Sequence, residues 1–109
     1  MAEYSTFSIS DEAGLYQLTV DGYSGDAGNA MMTSTISDED YVSNGRPFST
    51  PDSDNDVYPG GNCADDKGSG WWFGYCSTSN INNDVTAIWA DGAPVWDIQA
   101  SRMLVKYIF

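Results

Sequence analysis

Between Asp52 and Cys76 the chain reads DSDNDVYPGGNCADDKGSGWWFGYC, and this stretch limits the possible folds more than any other. From Asn44 to Gly70 prolines, glycines and short polar residues break every apolar periodicity, so neither a helix nor a strand is expected there. A compact domain seldom carries so long a segment without regular structure unless something other than a ladder holds it. The stretch itself offers two such holders. Asp52, Asp54 and Asp56 can share a cation, and Cys63 and Cys76 can form a bridge. The cysteines are too few for a zinc site and lack the C-x-x-C spacing of a redox pair, which leaves a disulfide or two reduced, buried thiols.

Charge narrows the chemistry. Sixteen acidic residues against four basic ones and no histidine give a net charge of -12. A phosphate-tracking nucleic-acid surface needs clustered Lys and Arg, and an anionic membrane surface attracts the same residues, so both partners are excluded. Without histidine a Ser-His-Asp hydrolase or a zinc hydrolase has little to build on. Hard oxygen donors remain, and calcium is their natural partner. The D-x-D-x-D spacing resembles the start of an EF-hand loop. However, Val57 stands where that loop needs glycine, Cys63 stands where it needs a bidentate Glu, and no flanking helices are indicated. The expectation is a different acidic loop, in which Asp54 and Asp56, two apart in extended chain, face one ion while Gly60 and Gly61 fold the backbone so that carbonyls can join them. The competing reading is a solvated acidic turn.

Elsewhere the pattern is that of a mostly β domain spanning residues 1–109. Thr6–Ser10 reads as a weak strand, Asp11–Gly14 as a turn and Leu15–Val20 as a half-buried strand ending at Asp21-Gly22. Gly22–Ala30 reads as a loop, Met31–Ile36 as a short strand and Ser37–Asp40 as a solvated turn. Strands are expected over Val85–Ala90 and Val95–Ala100 around Asp91-Gly92. Met103–Phe109, apolar on both faces apart from Lys106, reads as a strand inside a sheet. Trp71 and Trp72 read as core bulk, and Phe73, Tyr75 and Trp89 as packing residues. No apolar run is long enough to span a membrane, and MAEYSTFSIS lacks both the basic start and the apolar core of a signal peptide.

Five segments in order, YQLTV at 16–20, GYSGDAGNAM at 22–31, FSTPDSDND at 48–56, NCADDKGSGWWFGYC at 62–76 and SRMLVKY at 101–107, resemble the C-terminal half of the fibrinogen-like domain. The resemblance implies an α+β, mostly β fold: a small antiparallel or mixed sheet with long loops held by calcium and a disulfide. It implies a Cys63–Cys76 bridge, worth about 3 kcal/mol by loop-closure entropy, and hence an oxidising, extracellular setting for a secreted protein. Calcium would be held by Asp54 and Asp56 with carbonyls of Tyr58 and of Gly60 or Gly61. Beside that loop the family carries a ligand pocket. Its matching positions here are Asp66, Lys67, Tyr75, Cys76, Ser77, Asp84 and Trp96, with a cis Tyr75–Cys76 peptide bond and the bridge as floor.

In the fibrinogen-like lectins this pocket takes the acetyl group of N-acetylated sugars, and in fibrinogen it takes a peptide amino terminus. The present chain departs from the lectins at Ser77, where many relatives carry His, and at Lys67, where an aromatic is common. A shortened loop after Asn82 removes part of one wall. The family's N-terminal subdomain is missing, so a sheet edge is expected to lie open and to support self-association. The function implied is binding rather than catalysis: a calcium-stabilised, lectin-like extracellular recognition module for glycans or acetylated ligands. The alternative is a structural or adhesive subunit of an extracellular or virion-surface assembly in which the pocket is vestigial.

Overall fold

The computed structural model describes residues 1–32, 41–83, 88–89 and 100–106. Strand β1 (Ala2–Ile9) pairs antiparallel with β2 (Leu18–Gly25), from Ala2 opposite Gly25 to Ile9 opposite Leu18. Period-two alternation turns Leu18 and Val20 inward, both fully buried, and leaves Thr19 and Asp21 in solvent. The strand is displaced from the expected 15–20. Leu15 and Tyr16 lie in the left-handed region at φ 59° and 55°, which no strand accommodates. At the other end Gly22, at φ 70°, takes up the irregularity without breaking the ladder, so β2 continues past Asp21 to Gly25.

A 3-10 turn over Glu12–Gly14 joins the two strands. Asp11 caps it, its carboxylate accepting the Gly14 amide at 3.0 Å. Met31 and Met32 lie in a turn rather than opening a strand.

The segment from Asn44 to Gly70 is not wholly irregular. Cys63–Lys67 forms a short helix, α1. Asn62 caps its start by accepting the Asp65 amide at 3.1 Å, and Gly68 ends it at φ 64°. Asp65 and Asp66 sit at its positive end and Lys67 at its negative end. Two further strands, β3 (Ser79–Asn80) and β4 (Ile88–Trp89), form a second antiparallel pair, and β4 falls inside the expected Val85–Ala90.

The core gathers Leu18, Val20, Met31, Cys63, Ala64, Trp71, Trp72 and Phe73. Both tryptophans of the G-W-W run are structural, as expected. Trp71 donates its indole N–H to Ser43 Oγ at 3.1 Å, and Trp72 donates to the Tyr16 carbonyl at 2.9 Å. Phe73 is buried with them, and Trp89 packs against the core while donating to the Gly28 carbonyl at 2.9 Å.

The expected central strand at the C-terminus is not found over Met103–Lys106. These residues form no ladder and are exposed, Leu104 by 80%. An apolar run states a preference for burial but names no partner, and no described strand runs alongside it. Residues 107–109, the rest of 85–100 apart from Ile88, Trp89 and Ala100, and the turn at Ser37–Asp40 lie outside the described residues, as does the segment 33–36.

Candidate functional site

The acidic loop is built by local turns and fastened at both ends. Thr50 and Ser53 exchange backbone hydrogen bonds of 3.0 Å across Pro51-Asp52, positions that suit proline followed by aspartate. Ser49 and Trp71 form an antiparallel bridge that ties the loop's start to the core. Asn55 turns inward, its amide nitrogen donating to the Phe48 carbonyl at 2.9 Å and its backbone N–H to Ser49 Oγ at 3.0 Å. Asp54 is exposed, and its Oδ1 accepts the Asp56 amide at 3.2 Å. Asp56 is half-buried. Its Oδ1 accepts from Tyr58 at 2.9 Å and its Oδ2 from Cys63 at 2.8 Å.

These carboxylates act on one another. Asp56 is held above the ordinary carboxylate range, chiefly by burial. The Cys63 and Tyr58 amides pull it down, and the adjacent Asp54 carboxylate pushes it up. Among the described residues no group of three or more His, Cys, Asp or Glu side chains gathers as a metal cage. The protein therefore offers two neighbouring carboxylates, and a calcium ion would need carbonyls and water to complete its six to eight oxygens. The donor set fits that ion in kind. Gly61 helps to shape the turn: a Cβ there would come within 2.6 Å of Tyr58 Cζ.

Cys63 and Cys76 are disulfide-bonded, with Cα atoms 5.5 Å apart, as the resemblance implies. The bridge fastens α1 to the segment after the tryptophans. Tyr58 stacks on Tyr75 with ring centroids 4.5 Å apart and planes 18° apart, and Tyr41 packs on Tyr75 from 6.0 Å. Val57 donates to the Gly74 carbonyl at 3.2 Å. The Tyr75–Cys76 peptide bond, expected cis, is trans, like every other described peptide bond. The Gly74 amide reaches the Cys76 carbonyl at 2.8 Å in that geometry, and a trans bond is the strongly preferred form before a residue other than proline.

The expected ligand positions are distributed as follows. Asp66 is exposed and Lys67 half-buried on α1, three and four residues beyond the bridged Cys63. Tyr75 is exposed on the Tyr58 stack, Cys76 is in the bridge, and Ser77 is half-buried beside it. The Ser77 hydroxyl is committed inward: it donates to the Ser79 carbonyl at 2.6 Å, accepts the Ser79 amide at 3.0 Å and lies 2.9 Å from Ser43 Oγ. Asp84 and Trp96 fall outside the described residues.

Among the described residues, concavities also lie away from these positions. One, of about 300 Å³, is lined by Met32, Val42, Asn44, Gly45 and Arg46. A second, of about 230 Å³, lies between the β1–β2 turn and the start of the acidic loop, walled by Glu12, Leu15, Tyr16, Phe48, Thr50, Ser53 and Asn55. Sequence reasoning missed the second because it placed Leu15 and Tyr16 in a strand, and nothing in their residue types signals a left-handed turn.

Comparison with known proteins agrees with the fold. Residues 1–97 match the family described as fibrinogen beta and gamma chains, C-terminal globular domain. A techylectin-like protein of Phoneutria nigriventer is 40% identical over 96 residues, covering 87% of this chain and 38% of that protein. Fibrinogen-like protein 1 of Rattus norvegicus is 39% identical over 83 residues, covering 74% of this chain and 26% of its own length. Among solved structures, the fibrinogen-like globe domain of human ANGPTL6 superposes with a TM-score of 0.62 at 41% identity, covering 74% of this chain and 32% of that one. Lamprey fibrin D-dimer, complexed with the peptide Gly-His-Arg-Pro-amide, superposes with a TM-score of 0.69 at 32% identity, covering 81% and 34%. The chain thus spans well under half the length of these relatives. Its disulfide, its mostly β fold and these matches make it a member of the fibrinogen C-terminal domain family, a family of recognition domains rather than enzymes.

Proposed function

We propose that the chain is a calcium-stabilised, lectin-like recognition module that acts outside the cell and binds glycans, with N-acetylated sugars as the first class to test. The observation that carries this reading is the coupling of the acidic loop to the bridged segment. Asp56 accepts from bridged Cys63, and Tyr58, two residues further on, stacks on Tyr75 immediately before bridged Cys76. An ion drawn to Asp54 and Asp56 would thereby fix the position of Tyr75, an aromatic ring of the kind sugar faces pack against. Similarity to a techylectin-like protein supports the glycan class, and the disulfide supports an oxidising compartment. Among the described residues no helix is long and apolar enough to cross a membrane. A glycan array containing N-acetylated and unacetylated sugars, run with calcium and with chelator, tests the proposal. Calcium-dependent binding with acetyl preference is expected, and silence in both conditions would contradict it.

One observation favours a second reading. Ser77 spends its hydroxyl on Ser43 and Ser79, so the position that should meet a ligand is occupied by the protein's own groups. In that reading the chain is a structural or adhesive subunit, and the array stays silent while ordered assemblies form.

A further inference from the structure

We propose that the cleft between the β1–β2 turn and the acidic loop is a separate binding site for a cationic peptide segment, in which an Arg or Lys side chain meets Glu12 and flanking apolar atoms cover Leu15 and Tyr16. This inference is independent of the glycan reading. The cleft shares no lining residue with the positions Asp66, Lys67, Tyr75, Cys76 and Ser77.

Two kinds of observation support it. The first is backbone conformation. Leu15 and Tyr16 are the two non-glycine residues at positive φ among those described, and they are consecutive. Glycine takes this conformation freely, whereas a side chain there is strained. The fold nevertheless clamps the turn. The Leu15 carbonyl accepts the Phe48 amide at 3.0 Å, and the Tyr16 carbonyl accepts the buried Trp72 indole N–H at 2.9 Å. The side chains so displayed gain little from packing, since Leu15 remains 44% and Tyr16 45% exposed. Two large side chains kept where glycine fits better, and left in solvent at the mouth of a cleft, point to contact with something outside the chain.

The second observation is charge complementarity. The cleft wall carries a carboxylate and no Lys or Arg. The Glu12 carbonyl accepts the Leu15 amide at 2.9 Å, while its carboxylate makes no hydrogen bond or ion pair to any described residue. Asp52, next to the wall, adds a second exposed carboxylate, which accepts the Thr50 hydroxyl at 2.7 Å. Tyr16 and Phe48 add aromatic faces, which attract a cation as well as apolar atoms. A second copy of this chain, at net charge -12, is the poorer occupant.

The test is amide NMR of the calcium-loaded chain titrated with acetyl-Ala-Phe-Arg-Ala-amide and with the same peptide carrying neutral citrulline for arginine. The acetyl cap removes the free amino terminus. Saturable shifts are expected at residues 12–16 and 48–55, with binding weakened about tenfold or more by citrulline and, equally, by Glu12→Gln. Tyr16→Gly separates function from structure: relief of strain should leave its Tm at or above the parent's while binding is lost. Overturning results are no saturable shift at these residues, shifts centred on 75–77 instead, or equal binding of the citrulline peptide. Parent-like binding by Tyr16→Gly or by Glu12→Gln would also overturn it. Dilution of the protein alone moving the same amides would assign the cleft to a second copy and likewise overturn the proposal.

Discussion

Asp56 joins the acidic loop to the disulfide: its Oδ2 accepts the Cys63 amide at 2.8 Å while its Oδ1 accepts the Tyr58 amide at 2.9 Å. Asp56→Ala would leave both donors without an acceptor in a half-buried place. In chelator it should lower unfolding free energy by about 1–3 kcal/mol, measured by denaturant titration. Asp54→Asn should behave differently. It removes an exposed like charge beside Asp56 and should change chelator stability by less than about 0.5 kcal/mol. Equal losses for the two variants would show that Asp56 has no special structural part.

The Cys63–Cys76 bridge closes a short loop around α1 and both core tryptophans. Replacing both cysteines with serine should cost about 3 kcal/mol by the loop-entropy account. Denaturant melts of the double variant against the oxidised parent give the number, and a loss below about 1 kcal/mol would contradict it.

Ser43 is buried and accepts the Trp71 indole N–H at 3.1 Å while also contacting Ser77 and Ser79. Ser43→Ala would strand that N–H in the core. A destabilisation of about 1–3 kcal/mol is expected, with near-neutral behaviour as the contradicting result.

Much of this was legible in the residues, and the limits of that legibility have physical causes. The alternation of Leu18 and Val20 with Thr19 and Asp21 announces a half-buried strand because burial on one face leaves a period-two trace. The bridge and the family rest on a motif string long enough to be specific. The helix at Cys63–Lys67 carried its own signals, an N-capping Asn62 and a terminating Gly68, but five residues are too few for periodicity to register. The left-handed Leu15 and Tyr16 carried none, because tertiary hydrogen bonds from Phe48 and Trp72 override local preference there. The exposed run at Met103–Val105 shows that apolar sequence alone does not select a neighbour.

Strand β1 pairs with β2 on one side, and no described strand pairs with its other edge. It carries a single charge, Glu3, over its eight residues. Such an edge can pair with a second copy. Light scattering over a concentration series should show mass above the monomer in the high micromolar range, reduced by Thr6→Glu. A monomer throughout would remove the edge as a self-association surface.

The central claim is that Asp54 and Asp56 bind calcium and so brace the loop against the bridged segment. The direct measurement is the melting temperature of the parent and of Asp54→Asn, each in chelator and in millimolar calcium. An ion that binds only the folded loop stabilises it by about 2.7 kcal/mol at a hundredfold excess over its Kd, enough to raise Tm by several degrees. The parent should show that rise and Asp54→Asn should not. A parent melt that is the same in calcium and in chelator would contradict the claim.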